Sequence, residues 1–272
     1  MARQELDLVM TWAASEGWNP GLHDAECFYG ADPSGFLMGF LDGEPIASIS
    51  AVKYGDSFGF IGFYMVQPAF RGQGYGLAIW QAALGYLQGR NVGLDGVLAQ
   101  QDNYIKSGFT LAHRNIRYAG VGRGESGDAS CGPLADISME AVFDYGRRLF
   151  PEVRSQFTQC WITRPGSHAV GCMQGQTLAG YGVLRPCQTG YKIGPLFADG
   201  GAIARKLFQT LVARVPVGAP VYLDVPEVNA EAVALAEHYG MTPVFETARM
   251  YTQKAPELAL ERIFGVTTFE LG

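Results

Sequence analysis

The sequence lacks the features of several specialised classes of protein. No apolar run reaches the roughly 18 residues of a membrane span, because glycines and polar residues interrupt each one. The N-terminal residues carry acidic side chains and have no apolar signal-peptide core, so the expected location is the cytoplasm. Lysine and arginine form no stripe, and the formal net charge is −6. We therefore expect neither nucleic acid nor a membrane as a partner.

Cysteine and histidine are also scarce. The five cysteines include no Cys-x-x-Cys pair and the four histidines are scattered, so no metal-ligand spacing is present and we expect no metal. The odd cysteine count and the expected location favour reduced, mostly buried thiols. A hydrophobic content of 48% with 17% charged residues is typical of a globular protein. The 272 residues suffice for one large domain or two of ordinary size.

The most informative stretch runs from Phe58 to Leu87. Its first part, Phe58 to Val66, is almost entirely apolar, which predicts a strand buried on both faces. Pro68 ends this strand, and a turn with alternating glycines follows at residues 71–76. Apolar residues then repeat at helical spacing, at Leu77, Trp80, Leu84 and Leu87. The stretch therefore predicts a strand, a glycine-rich turn and a helix.

Such a turn can bind an anion. The first turn of a helix has backbone N–H groups without partners, and the helix dipole adds partial positive charge. Glycines let a ligand approach the backbone, and Arg71 adds a fixed charge. A P-loop is excluded because no Gly-Lys-Ser/Thr closes the turn. The dinucleotide signature Gly-x-Gly-x-x-Gly is excluded because Leu77 or Ile79 stands at its last position.

The remaining pattern is Arg-x-x-Gly-x-Gly after Val-x-Pro, and it resembles the pyrophosphate turn of the GNAT acyltransferase superfamily, which binds acetyl-CoA. Arg71, Gly74 and Gly76 meet the family pattern. The resemblance implies that the turn holds the diphosphate of the cofactor and that the preceding strand contacts it through backbone groups. The cofactor-binding residues implied in this way are Tyr64, Met65, Val66, Arg71, Gly72, Gln73, Gly74, Tyr75, Gly76 and Leu77.

The resemblance also implies a catalytic residue. In this family the acid that protonates the leaving thiolate is usually a Tyr four residues before a Gly-Phe pair, and here Tyr104 precedes Gly108-Phe109 in this way. A phenol suits the role because its pKa of about 10 lies close to that of a thiol. The alternative is an aromatic packing residue with a bonded hydroxyl. Val97 stands where many relatives carry an Asn, so Asn103 or Gln100 is expected to contact the cofactor instead.

The general base is less visible, because no Glu lies on the central strand where some relatives place one. Asp24, Glu26 and His23 occupy a segment that lines the acceptor site in GNAT proteins. They are candidates for binding or deprotonating an amine, but we favour a helix N-cap for Asp24 and a solvated face for the other two. Trp18 either lines the acceptor pocket or packs, and packing is the interpretation we favour.

The predicted element order indicates an α/β fold with a mixed sheet, present in two copies. Residues 1–122 follow the GNAT arrangement and form the predicted catalytic domain, residues 123–133 are a Gly/Ser-rich linker, and residues 134–272 repeat a similar order. The second copy has no Arg-x-x-Gly-x-Gly between Gly194 and Ile203, its Asp199 would repel phosphates, and Ala236 replaces the expected Tyr. We therefore expect a degenerate second domain that has lost cofactor binding.

The resemblance implies an acetyl-CoA-dependent N-acetyltransferase acting on a small amine or an amino-acid-like acceptor, as a monomer or homodimer. Two alternatives remain open. A non-catalytic CoA-binding or regulatory module would keep the turn but would not need Tyr104. A transferase on the same fold could use a longer acyl group or an aminoacyl-tRNA, although the acidic balance argues against tRNA.

Overall fold

The computed structural model describes residues 1–272, and its strands form one twelve-stranded sheet. Each half runs helix, helix, three strands, helix, strand, helix and strand, and the second half adds a short strand at its start and another at its end. The first half contains α1 (Arg3–Ser15), α2 (Asp24–Ala31), β1 (Phe36–Leu41), β2 (Glu44–Tyr54), β3 (Phe58–Val66), α3 (Tyr75–Tyr86), β4 (Asn91–Val97), α4 (Gln101–Lys106) and β5 (Thr110–Val121). The second half contains β6 (Cys131–Pro133), α5 (Met139–Gly146), α6 (Ser155–Thr163), β7 (His168–Gln174), β8 (Thr177–Pro186), β9 (Tyr191–Ala198), α7 (Gly201–Val212), β10 (Pro220–Pro226), α8 (Ala230–His238), β11 (Thr242–Tyr251) and β12 (Ile263–Gly265).

The apolar patterns explain how these elements pack. The buried face of α1 consists of Leu6, Val9, Met10 and Ala13, which follow a helical repeat. Alternate residues of β3 enter two different cores, since Phe60 packs with α1 and α2 while Ile61 packs with α3. The first-half sheet is therefore covered on both faces, as the continuous apolar run of β3 predicts. No helix is both long enough and apolar enough to cross a membrane.

The two halves exchange their last long strands. The sheet order is β1-β2-β3-β4-β11-β5-β10-β9-β8-β7-β6, with β12 attached to β9. Strand β11 of the second half thus lies between β4 and β5, and β5 of the first half lies between β11 and β10. Each half completes the sheet of the other, so the two predicted domains share one continuous sheet.

The segment after β11 returns across both halves. Strand β12 pairs antiparallel with β9, and the Val266 amide donates to the Asp224 carbonyl oxygen of β10 at 2.9 Å. The chain then reaches the first half, where the Leu271 carbonyl oxygen accepts a hydrogen bond of 3.0 Å from the Tyr54 hydroxyl. Residues 263–272, which we call the C-terminal segment, therefore contact the cores of both halves.

Buried ion pairs also join the halves. Each pair takes one partner from each half, and their side chains are at most 9% exposed. The pairs are Asp24 with Arg164 and Arg185, Arg117 with Asp224, and Asp95 with Arg249. Removing one partner of such a pair leaves an uncompensated buried charge, so these contacts fix how the halves meet.

The expectation of five reduced thiols is wrong for four of them. A disulfide joins Cys27 on α2 to Cys160 on α6, and another joins Cys131 on β6 to Cys172 on β7, while Cys187 is free and buried. The first bridge links positions 133 residues apart whose Cα atoms lie 5.4 Å apart. Cysteine spacing cannot reveal such a pairing, because the contact between α2 and α6 arises only when the halves dock.

The Cys27–Cys160 bridge should stabilise the folded chain measurably. Replacing both residues with Ala removes a covalent constraint on the unfolded chain, and we expect the free energy of unfolding to fall by about 2–4 kcal/mol. Urea denaturation under non-reducing conditions measures the change. In excess reductant the variant and the wild type should nearly coincide, and equal midpoints without reductant would contradict the prediction.

Candidate active site

The first-half sheet opens into a fork between β3 and β4. These strands pair in parallel only from Phe58 with Asn91 to Ile61 with Leu94. Beyond Ile61, β3 continues to pair with β2, and beyond Leu94, β4 continues to pair with β11. Both strands therefore stay in the sheet while their facing edges separate.

A bulge shapes the β3 side of the fork. The register with β2 shifts between Ser48, which faces Met65, and Ser50, which faces Gly62, so β3 carries an extra residue. Phe63 lies in this bulge at φ +47°, in the left-handed region that a bulky residue rarely adopts. Its carbonyl oxygen accepts a hydrogen bond of 2.9 Å from the Ser48 hydroxyl. The bulge re-aims the residues of β3 that follow it toward the fork.

A cavity of about 450 Å³ occupies the fork. Its lining joins the glycine turn and α3 to the open edges of β3 and β4, and then to residues of β5, β11 and the C-terminal segment. Nine of the predicted site residues line it: Tyr64, Met65, Val66, Arg71, Gly72, Gly74, Gly76, Leu77 and Tyr104. Gln73 and Tyr75 lie on the turn outside the lining, and Asn103 is exposed and donates to Gln100 Oε1 at 2.7 Å. Gln100 itself lines the cavity.

The glycine turn presents a row of unpaired backbone amides to the cavity. Gly72 and Gly74 adopt φ angles of +76° and +90°, which only glycine reaches without strain, and Gly74 is the N-cap of α3. No protein group accepts a hydrogen bond from the amides of residues 72–77, and no side chain caps the helix. A side chain at Gly76 would clash with the Tyr64 hydroxyl. The turn therefore has the geometry of an anion site at a helix N-terminus.

Arg71 stands at the mouth of this turn with two partners of its own. Its Nε donates to the Val66 carbonyl oxygen at 2.8 Å, and its guanidinium forms an ion pair with Glu16 at the end of α1. Glu16 also lines the cavity. The Glu16 carboxylate thus binds the Arg71 guanidinium beside the glycine turn, where an anionic ligand could bind it instead.

Tyr104 lies at the other side of the fork, against β4. Its ring covers Gly96, where any side chain would collide with it, and packs on Trp80 with ring centroids 5.5 Å apart. The residue is only 7% exposed, yet its hydroxyl has no protein partner and is not sealed from the cavity. Burial, with a smaller effect of Tyr64, raises the pKa of Tyr104 well above its ordinary value. The hydroxyl is therefore protonated at neutral pH and free to donate into the cavity.

The segment around Asp24 does not contribute to the cavity. Asp24 is buried and bound by Arg164, Arg185 and the Gly21 amide, and these interactions outweigh burial and lower its pKa. The predicted N-cap is wrong in detail, because His23 holds that position without a side-chain bond. Glu26 is exposed and pairs with Arg3 at 2.9 Å, and His23 is exposed as well.

Residues that no sequence pattern singled out complete the cavity, and most of them come from the second half. Phe245 and Thr247 come from β11, Phe269 and Glu270 from the C-terminal segment, and Arg117 from β5. The Thr247 hydroxyl is buried without a hydrogen-bond partner. Trp18 also lines the cavity, rather than only packing. The strand exchange brings the residues of β5 and β11 to the fork, and the return of the C-terminal segment brings Phe269 and Glu270.

The second half has its own fork, and it is filled. Strands β9 and β10 pair in parallel only from Tyr191 with Val221 to Ile193 with Leu223. Beyond that point β12 pairs with the edge of β9, and Val266 bonds to β10. At the start of α7 the Gly201 amide donates to Glu231 at 2.8 Å. Protein groups thus occupy the places that are open in the first half.

Comparison with known proteins agrees with this geometry. The profile "Acetyltransferase (GNAT) family" matches residues 4–107, and the profile "Acetyltransferase (GNAT) domain" matches residues 142–265. The holothin acyltransferase of Pseudoalteromonas sp. (strain SANK 73390) is 32% identical over 99% of this chain and 92% of that protein. The chain belongs to the GNAT acyltransferase family. The two matches confirm the predicted tandem arrangement, and the named relative supports acyltransferase activity.

Two solved structures show the same fold. A Pyrococcus horikoshii protein assigned as an acetyltransferase superposes with a TM-score of 0.86 at 20% identity, covering 100% of this chain and 94% of that one. A tandem GNAT protein of the clavulanic acid biosynthesis pathway superposes with a TM-score of 0.65 at 15% identity, covering 94% and 98%. At these identities the likeness concerns the fold alone.

The β4 floor of the cavity rests on a buried charge pair. Asp95 accepts hydrogen bonds from Arg249 at 2.6 and 2.9 Å and from Asn115 at 2.7 Å. His113 is the cross-strand partner of Arg249 on β5. Burial, together with the positive charge of Arg249, lowers the pKa of His113 from 6.5 to about 4. The folded chain therefore keeps this imidazole neutral.

His113 should make the fold sensitive to acid. Between its ordinary pKa of 6.5 and its folded value of about 4, the unfolded chain binds the additional proton, so stability falls as the pH falls through that window. Between pH 7 and pH 4.5 this one group should cost about 2 kcal/mol. Urea denaturation at both pH values should show a smaller loss in His113→Gln than in the wild type. Equal losses would contradict the prediction.

Proposed function

We propose that the chain transfers the acetyl group of acetyl-CoA to an amine. The observation that carries the proposal is the row of unpaired amides at residues 72–77, which opens into a forked sheet beside Arg71. A diphosphate suits these amides and the dipole of α3. The separated edge of β3 offers backbone groups to the extended arm of the cofactor, and the arm then points to Tyr104.

Tyr104 acts as the general acid in this proposal. Acyl transfer from a thioester releases a thiolate, which must take up a proton. The Tyr104 hydroxyl is protonated at neutral pH and unbonded, and it faces the cavity. The unpaired edges of the fork supply N–H groups that can stabilise the oxyanion of the tetrahedral intermediate.

The acceptor is a small amine. The cavity of about 450 Å³ must hold the end of the cofactor arm as well, so little space remains for the acceptor. The relative is named a holothin acyltransferase, which makes holothin the first acceptor to test. Acetyl-CoA is the proposed donor, and longer acyl-CoA thioesters are the comparison that tests donor choice. Because the second fork is filled by β12, one cofactor should bind per chain.

Replacing Tyr104 with Phe separates an enzyme from a CoA-binding module. The variant keeps the ring that covers Gly96 and removes only the hydroxyl. We expect turnover with acetyl-CoA and holothin to fall by about 10²–10⁴-fold while the Kd for acetyl-CoA in calorimetry stays within about twofold. Tyr86→Phe, at the C-terminal end of α3 and outside the cavity lining, is the matched control. A Tyr104→Phe variant that turns over like the wild type would remove the proposed acid.

Glu16 should compete with the cofactor for Arg71. In Glu16→Gln the ion pair is lost, Arg71 is available to the diphosphate, and the Kd for acetyl-CoA should fall by about 2–5-fold, the gain expected when an exposed ion pair no longer has to be broken. Arg71→Ala should raise the same Kd by about tenfold or more. Glu44→Gln, exposed and without an ion pair, controls for the change in net charge. Unchanged affinity in both site variants would contradict a role for Arg71.

A further inference from the structure

The fork brings two polar groups to opposite faces of the sheet. Tyr104 packs in the core that contains Ile61 and α3, whereas the C-terminal segment packs in the core that contains Phe60. Gly62 follows Ile61, so its Cβ direction points to the side of Phe60. A side chain at Gly62 would collide with the Glu270 carbonyl oxygen. Glu270 therefore lies at the fork on the face opposite Tyr104.

Only one of the two carboxylate oxygens of Glu270 has a hydrogen-bond partner in the protein. The residue is only 6% exposed. Its Oε2 accepts a hydrogen bond from the Thr268 hydroxyl, whereas its Oε1 has no protein partner and is not sealed from solvent. Glu270 lines the central cavity, and Oε1 is its one carboxylate oxygen without a protein partner. A buried residue with one free carboxylate oxygen is arranged to meet a cationic or hydrogen-bond-donating ligand.

Positive charge lies behind Glu270. Arg117 and Lys192 both donate to the Trp18 carbonyl oxygen at 3.0 Å. Burial lowers the pKa of Lys192 to about 8, and the negative charge of Glu270 acts against that shift. Arg117 is already bound by both oxygens of Asp224. The cations therefore have other partners, and Glu270 keeps an oxygen for a ligand.

Aromatic side chains form the walls beside this carboxylate. The rings of Phe245 and Phe269 lie 6.3 Å apart, and Trp18 lines the same cavity. Thr247 adds a buried hydroxyl without a partner. These surroundings suit a small planar apolar body that carries one amine and one further polar group.

We propose that Glu270 binds the acceptor amine and serves as its general base, and that the acceptor is a primary amine on a small planar apolar body. This inference rests on the proposed acyl transfer. The amine nitrogen forms the bond to the thioester carbonyl carbon, and an N–H proton passes to Glu270 Oε1. The carbon–sulfur bond then breaks, and the thiolate takes the phenolic proton of Tyr104. Glu270 releases its proton to solvent and the tyrosinate regains one, which completes the cycle.

The test compares Glu270→Gln and Glu270→Ala with the wild type in transfer from acetyl-CoA to holothin and to benzylamine. Glu270→Gln keeps the shape and should lower kcat by about 100-fold or more, with the Kd for acetyl-CoA within about twofold. Added formate should raise the kcat of Glu270→Ala by about tenfold or more over its value without formate, because a small carboxylate can enter the vacated space. A purely structural role would show no rescue. Glu246→Gln, half-buried on β11 and outside the cavity lining, is the matched control.

The outcomes separate this inference from the proposed function. If the wild type transfers the acetyl group and Glu270→Gln is equally active, the role of Glu270 is overturned, while the proposed acetyl transfer stands. No transfer by the wild type to any of these amines, with donor binding retained, would overturn both. Should Glu270→Ala fail to fold, Glu270→Asp replaces it. Withdrawing the carboxylate by one methylene should lower kcat by about tenfold or more, and an unchanged kcat would contradict the role.

Discussion

The separation of β3 from β4 is the constraint on which the site depends. Two neighbouring strands can part only if each keeps a partner on its other side, since unpaired buried backbone groups are costly. Strand β3 keeps β2, and β4 keeps β11 from the second half. The first-half fork therefore requires the second half, and the buried pair of Asp95 with Arg249 ties β4 to β11 at that point.

The C-terminal segment acts differently at the two forks of the chain, the open one in the first half and the filled one in the second. Its first part, β12, pairs with the edge of β9 that β10 leaves open beyond Ile193. Its last residues reach the open fork and add Phe269 and Glu270 to the cavity. One short segment thus closes the second cleft and forms part of the wall of the first. Without the second half, the first cavity would lack one face.

The sequence predicted what is local and missed what is made by docking. The apolar run of β3, the glycine turn and the start of α3 are set by neighbouring residues, so the strand, the anion-binding turn and the helix could be predicted from residues 58–87. The fork could not, because it depends on the partners of β3 and β4. The family resemblance that pointed to Tyr104 also rests on local spacing, that to Gly108-Phe109. The disulfide between Cys27 and Cys160, by contrast, depends on the contact between α2 and α6. Periodicity carries no information on such long-range contacts, and the strand exchange was hidden for the same reason.

The candidate bases divide in the same way. Their position in the chain made residues 23–26 candidates, but Asp24 lies at the interface between the halves, where two arginines of the second half neutralise it. Glu270 lies some two hundred residues after the fork and carries no local motif. Its role becomes visible only once the C-terminal segment is seen to pass Gly62.

The most direct test of the account is a crystal structure of the chain with coenzyme A. We expect one molecule per chain, with its diphosphate on the amides of residues 72–77, its arm between β3 and β4, and its sulfur within reach of the Tyr104 hydroxyl. A diphosphate bound elsewhere, or a molecule seated between β9 and β10 with β12 displaced, would contradict the account.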